Sequence, residues 1–162
     1  MTPLGHFATG FAAKAVGPKI PLWVLLAASW LLDILYFLFV FLGLESAQNI
    51  THPGAVPSPY SHGLSMALVW TALAGVLAWR FYRSPRSGLL IGLVVFSHWV
   101  LDFLSWNNLY LFFEGSPQVG LGLFNSLGGN FLWVELGLFL VGLAIYLVAR
   151  RKAQSSRPSL VA

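Results

Sequence analysis

The stretch GLLIGLVVFSHWVLDFLS, residues 88–105, is apolar enough to cross a bilayer, yet it carries His98 and Asp102 one helical turn apart. A transmembrane helix takes about 20 mostly apolar residues. An ionised carboxylate in hydrocarbon costs several kcal/mol unless it is paired, metal-bound or facing a wet cavity. Two further runs carry the same contradiction: Asp33 in LLAASWLLDILYFLFVFL, residues 25–42, and Glu135 in FLWVELGLFLV, residues 131–141. Acids held in such runs are functional-site candidates by default.

Composition agrees with a membrane setting. The 162 residues are 57% hydrophobic and 9% charged, with a mean hydropathy of +0.76, which excludes an ordinary soluble domain. Four stretches reach spanning length: Ile20–Leu44, His62–Tyr82, Gly88–Phe113 and Asn130–Ala149. The expected architecture is an all-α integral membrane protein with four long transmembrane helices and one short N-terminal helix packed in the bundle. Residues 1–152 read as a single helical membrane domain and residues 153–162 as a flexible cytoplasmic tail.

The nine basic residues fall on one side of this map: Lys14 and Lys19, then Arg80, Arg83 and Arg86, then Arg150, Arg151, Lys152 and Arg157. The loops 45–61 and 114–129 have none. By the positive-inside rule the 83–87 turn and the C-terminus are cytoplasmic and the two longer loops face outward, as expected for a bacterial inner-membrane protein. The net charge of +4 then reflects orientation and anionic lipid contact rather than nucleic-acid binding. With no cysteine, any metal must be held by nitrogen and oxygen. Residues 14–44 resemble a signal peptide in charge order, but the run is too long for one and contains Asp33, so it reads as a retained span.

Residues 2–17 are predicted to form a short helix. Thr2 with Pro3 supplies an N-cap and a first-turn proline, and Gly17-Pro18 supplies the stop. Leu4, Phe7 and Phe11 make one stripe, and Ala8, Ala12 and Ala15 make a small-residue stripe suited to close helix approach. An interfacial helix is the alternative to one buried in the bundle.

Depth favours burial. At 1.5 Å per residue Asp33 lies about 20 Å from Ile20, His98 and Asp102 about 15 and 21 Å from Gly88, Glu135 about 22 Å from Arg150, and His6 about 17 Å from Gly17. Five groups therefore reach one level in the outer half of the bilayer. His62 is the misfit at about 30 Å from Arg83, unless tilt or arginine snorkelling lowers it.

His98-x-x-x-Asp102 offers a nitrogen and an oxygen on one helix face, a spacing that lets one helix bind a cation. A helix-stabilising pair is the bland alternative. Asp33 has no lysine or arginine at its depth, so a histidine or a metal is its partner. Glu135 divides between ligand, general base and a structural role. His62, in Tyr60-Ser61-His62-Gly63, and His6 have interfacial alternatives, and His52 in a proline-rich loop reads as a turn residue. Trp30, Trp99 and Trp106 are placed to wall the site. The segment GLGLFNSLGG, residues 120–129, reads as a flexible outer loop.

Leu4-Gly5-His6-Phe7-Ala8-Thr9-Gly10, Leu31-Leu32-Asp33, Tyr60-Ser61-His62-Gly63-Leu64-Ser65, Ser97-His98-Trp99-Val100-Leu101-Asp102 and Val134-Glu135-Leu136 together resemble the small bacterial membrane proteins described as membrane-bound metal-dependent hydrolases. The order His, Asp, His, His-x-x-x-Asp is also similar to the leading ligands of zinc-dependent phospholipase C and P1-type nucleases. That likeness implies one ion on Asp33, His62, His98 and Asp102, and a second on His6 with a shared Asp102. The chain departs from the pattern at Leu35, where a second acid is usual, and at Pro57-Ser58, where a His-Arg pair is usual.

The resulting expectation is a membrane-embedded hydrolase of a lipid or amphiphilic phosphoester, using one or two zinc or other divalent ions. His6, Asp33, His62, His98 and Asp102 are the expected metal ligands and Glu135 is the expected catalytic base or an extra ligand. A proton- or metal-handling transport protein and a non-catalytic membrane scaffold are the rivals. A transport path predicts polar residues continuing toward the cytoplasm, where the spans instead read Leu, Val, Ala and Gly.

Overall fold

The computed structural model describes residues 1–46 and 58–155. His52, Pro57 and residues 156–162 lie outside them. The described chain is mostly helical. Its elements are α1 (Pro3–Val16), α2 (Leu22–Ser29), α3 (Leu31–Phe41), α4 (Leu64–Tyr82), α5 (Pro85–Ser105), α6 (Leu123–Leu127) and α7 (Phe131–Ser155), with two-residue strands β1 (Leu109–Tyr110) and β2 (Gln118–Val119). Three of the helical segments, α4, α5 and residues 123–155, are long and apolar enough to cross a membrane, and a bent α2–α3 pair makes up to four. This fits an integral membrane protein, as does the exposure of side chains such as Phe81, Leu89, Trp133 and Val141.

Helix α1 starts with Pro3 in its first turn and ends at Gly17, whose N–H donates to the Ala13 carbonyl. It packs between α7 and α2 and touches α5, the buried placement expected of it. Small residues allow this. A side chain at Gly142 of α7 would collide with the Ala8 backbone, and one at Gly10 would lie 3.0 Å from the Leu25 carbonyl of α2. Close backbone approach of this kind is how helices associate where lipid removes the hydrophobic drive. Gly75, Gly88 and Gly92 do the same for the α4–α5 pair, with Gly75 facing the Gly88 carbonyl.

Several expectations are corrected. The apolar run 20–44 is not one straight helix: it bends by 59° between α2 and α3, with Trp30 at φ −114°, ψ 10°. No proline or glycine marks the break. What the break does is free the last carbonyl of α2 for a bond from α5. The third run stops at Ser105 rather than Phe113, because Trp106 turns extended and the turn-favouring Asn107 and Asn108 follow; residues 109–119 then form a small antiparallel hairpin. His62 stands before α4, in a turn closed by His62 N–H and Gly63 N–H donating to the Ser58 carbonyl at 2.9 and 3.1 Å. That turn folds His62 inward, which removes the depth misfit. Thr2 does not cap α1 with its side chain, residues 123–130 are helical rather than a glycine-rich loop, and α7 runs on through residue 155.

If the α1–α7 contact depends on the missing Cβ, Gly142→Val lowers stability by about 1–3 kcal/mol through overpacking, read as thermal unfolding in detergent. Gly137→Ala, on the same helix with nothing within 4 Å of its added Cβ, leaves the midpoint unchanged or raises it.

Candidate metal centre

Each of the expected ligands arrives from a different local feature. His6 sits on α1, Asp33 in the first turn of α3, His62 in the turn before α4, and His98 and Asp102 one turn apart on α5. Asp33 also profits from its position, since a carboxylate in a helix's first turn meets the positive end of the dipole. The structure brings all five together, each 0–2% exposed.

The contacts run through the imidazole Nε2 atoms. His62 Nε2 lies 3.3 Å from Asp33 Oδ1 and 3.4 Å from Asp102 Oδ2, and His98 Nε2 lies 3.6 Å from Asp33 Oδ1 and 3.3 Å from Asp102 Oδ2. His6 Nε2 is 3.5 Å from the other oxygen of Asp102. The ligand atoms fall into two overlapping groups, His6–His98–Asp102 and Asp33–His62–His98, each within 4.8 Å.

Protonation decides what such a cluster is for. Ser29 ends α2, so its carbonyl has no helical donor; His98 Nδ1–H donates to it at 2.8 Å. A neutral His98 therefore points an Nε2 lone pair at two carboxylate oxygens, an arrangement that repels unless something positive lies between. A proton there would draw N and O to about 2.7–2.9 Å. The observed 3.3–3.6 Å is longer, and matches ligands about 3.3–3.4 Å apart around a tetrahedral first-row ion with bonds of about 2.0–2.1 Å. The His6 ring stacks on His98 with centroids 3.6 Å apart and planes 1° from parallel, which disfavours charge on both rings. Among the described residues, both nitrogens of His6, the Nε2 atoms of His62 and His98, and Asp102 Oδ2 are buried without a hydrogen-bond partner. Buried orphans of this number are rare in folded proteins. These residues fit, and could hold, a metal ion.

The surroundings orient the ligands. Trp99 Nε1 donates to the His62 carbonyl at 3.0 Å, and its ring stacks with Phe96 and Phe103, so the tryptophan next to His98 also holds the turn carrying His62. Tyr36 packs edge-on against the His62 ring, with centroids 6.1 Å apart. Ser61 Oγ lies 2.8 Å from His62 Nδ1. The Met1 amine is 2.6 Å from Asp102 Oδ1, the same oxygen that faces His6.

Glu135 meets the start of α1, at the residue next to the Met1 amine that contacts Asp102. Its Oε1 accepts from Thr2 N–H and its Oε2 from the Thr2 hydroxyl, both at 2.6 Å. The buried carboxylate thus anchors the start of α1 to α7, and it belongs to neither of the His/Asp groups. The expected base role has no geometric support. Ser29, Ser61 and Glu45 were missed by the sequence reading. Only Ser61 left a signal, as a hydroxyl next to a candidate ligand.

Comparison with known proteins returns no match among family models, curated proteins or solved structures.

Two outcomes follow. Chelation lowers the thermal midpoint of the detergent-purified protein and added divalent cation restores it, since occupancy at a hundredfold excess over Kd is worth about 2.7 kcal/mol; an Asp33→Asn/Asp102→Asn double variant shows no such response. Glu135→Gln destabilises by about 1.5–3 kcal/mol, the range for a buried bond to a charged group, while its metal content stays that of the parent. Loss of metal from a folded Glu135→Gln protein would put that carboxylate back among the ligands.

Proposed function

We propose that this chain is an integral-membrane, metal-dependent hydrolase acting on a lipid or amphiphilic phosphoester, with zinc as the resident ion. The observation that carries the reading is the set of buried imidazole Nε2 atoms facing two carboxylates at 3.3–3.6 Å. A nitrogen and oxygen donor set suits zinc, and also other divalent first-row ions.

Asp33, His62, His98 and Asp102 would hold the principal ion. Asp102 turns one oxygen to His62 and His98 and the other to His6, so it is the residue able to bridge to a second. When bound, the metal would supply a Lewis acid and positive charge beside phosphoryl oxygens. The protein's part is to orient the ligands, keep the surroundings dry with Trp99 and Tyr36, and so strengthen the electrostatics.

In this reading α2–α3 serves as one broken span, giving four, with α1 short inside the bundle. The α1–α2 and α4–α5 turns line a common cavity through Lys19, Ser84 and Arg86, so two basic clusters share one end of the molecule. Positive-inside orientation makes that end cytoplasmic and also the C-terminus of α7, and sets the metal centre toward the outer leaflet of a bacterial inner membrane.

Burial supports a second reading, in which the ion is handled or held structurally without turnover: at 0–2% exposure the ligands leave no substrate atom direct access without movement of the wall. The two are separated by incubating metal-loaded protein with a panel of phospholipids and isoprenoid phosphates and measuring released head group or phosphate. Turnover that is lost with chelator and in the Asp33→Asn/Asp102→Asn variant is the expected result. Stoichiometric metal with no product from any member of the panel sinks the hydrolase reading and leaves the second.

A further inference from the structure

Through the Ser61 hydroxyl, His62 is linked to a residue outside the cluster. Glu45, just beyond α3, accepts from Tyr60 N–H and Ser61 N–H through Oε1, both at 2.9 Å, and from the Ser61 hydroxyl through Oε2 at 2.8 Å. A carboxylate only accepts, so the Ser61 proton is committed to Glu45. The same hydroxyl oxygen lies 2.8 Å from His62 Nδ1. With its proton facing Glu45 it can only accept there, and Nδ1 must be the N–H donor. The proton is then on Nδ1, and Nε2 is left as a lone pair aimed at Asp33 and Asp102.

From this chain of bonds we infer that Glu45 is a positioning residue: through the Ser61 hydroxyl it fixes His62 in the tautomer that can bind a metal ion. The inference rests on the metal-centre reading. It has a parallel inside the molecule, since the Ser29 carbonyl imposes the same tautomer on His98. A ligating histidine generally donates its second N–H to an acceptor, and losing that acceptor costs about 10–100-fold in metal affinity. Here the acceptor is a neutral hydroxyl, which could equally donate. The carboxylate behind it removes the ambiguity.

Glu45→Gln tests this with almost no change of shape. The amide oxygen can keep the two backbone bonds, while the amide NH2 replaces an acceptor with a donor toward Ser61. The Ser61 proton is then released to turn toward His62 Nδ1, favouring the tautomer whose Nε2 is blocked. Ser61→Ala is the complementary variant, because both backbone N–H bonds to Glu45 survive and the turn is retained. The measurement is cobalt(II) titration of metal-stripped protein in detergent, reading affinity and the d–d absorption of the bound ion, with the thermal midpoints of the stripped forms as the control for folding.

Each single variant is expected to bind cobalt about 10–100-fold more weakly than the parent, the double variant no more weakly than the worse single, and Ser61→Thr to restore parental affinity. No cobalt binding by the parent overturns the metal-centre reading itself. Parental affinity in Glu45→Gln and Ser61→Ala overturns the positioning role alone. Strictly additive losses also overturn it, because they show Glu45 acting by pinning the turn and not through Ser61.

Discussion

Two carboxylates and three imidazoles meet in the centre of an apolar bundle, and this local excess of negative charge is the constraint that the rest of the structure answers to. Water is excluded there, so the penalty for an uncompensated carboxylate is several kcal/mol. The groups facing Asp33 and Asp102 are the histidines and the Met1 amine. The cluster also joins four separate parts of the chain: α1, α3, the turn at 58–63 and α5. In a membrane, where apolar contact between helices gains little over contact with lipid, a polar junction of this kind specifies which helices meet and at what height.

Two of the five candidate ligands, Asp33 and His62, are presented by interruptions in regular structure. The bend at Trp30 ends α2 so that the Ser29 carbonyl can accept a hydrogen bond from His98 Nδ1–H, and it begins a new helix whose first turn holds Asp33. The 58–63 turn carries His62 inward by a backbone path that a continuing helix would not follow. Non-helical backbone at membrane depth survives only where its polar groups are satisfied within the protein. Here that is done by Ser58, whose carbonyl takes two N–H groups, by Trp99, which donates to the His62 carbonyl, and by Glu45, which takes two more. The irregular segments and the site are thus one set of interactions.

What could be read in advance was whatever depends on local spacing. The His98–Asp102 pair one turn apart, the acids stranded in apolar runs, the stop at Gly17 and the rise per residue were enough to bring His6, Asp33, His98 and Asp102 to one level, while His62 stood about 30 Å up on the same count and reaches the cluster only through the turn at 58–63. The helix break at Trp30 was hidden because no glycine or proline produces it; a bond from a residue 69 positions away accompanies it. The partner of Glu135 was hidden for a similar reason. Its depth matched the cluster, and the group it binds is Thr2, 133 positions distant, which depth along an axis does not reveal. Glu45 was invisible, since it lies outside the apolar runs that made the other acids conspicuous.

The three histidines are also unequal in a way that residue type conceals. His98 is held by a carbonyl and His62 by a hydroxyl with a carboxylate behind it, so both reach the centre already oriented. His6 has no hydrogen-bond partner on either nitrogen among the described residues and is kept in place by stacking on His98 and by Asp102. Ligands oriented before binding lose less entropy when the ion arrives. An ion at Asp33, His62 and His98 is therefore favoured over one that depends on His6, and filling a second position would also require Asp102 Oδ1 to exchange its contact with the Met1 amine. Affinity should fall from the α3 side of the cluster toward the α1 side, with the shared Asp102 carboxylate marking the step.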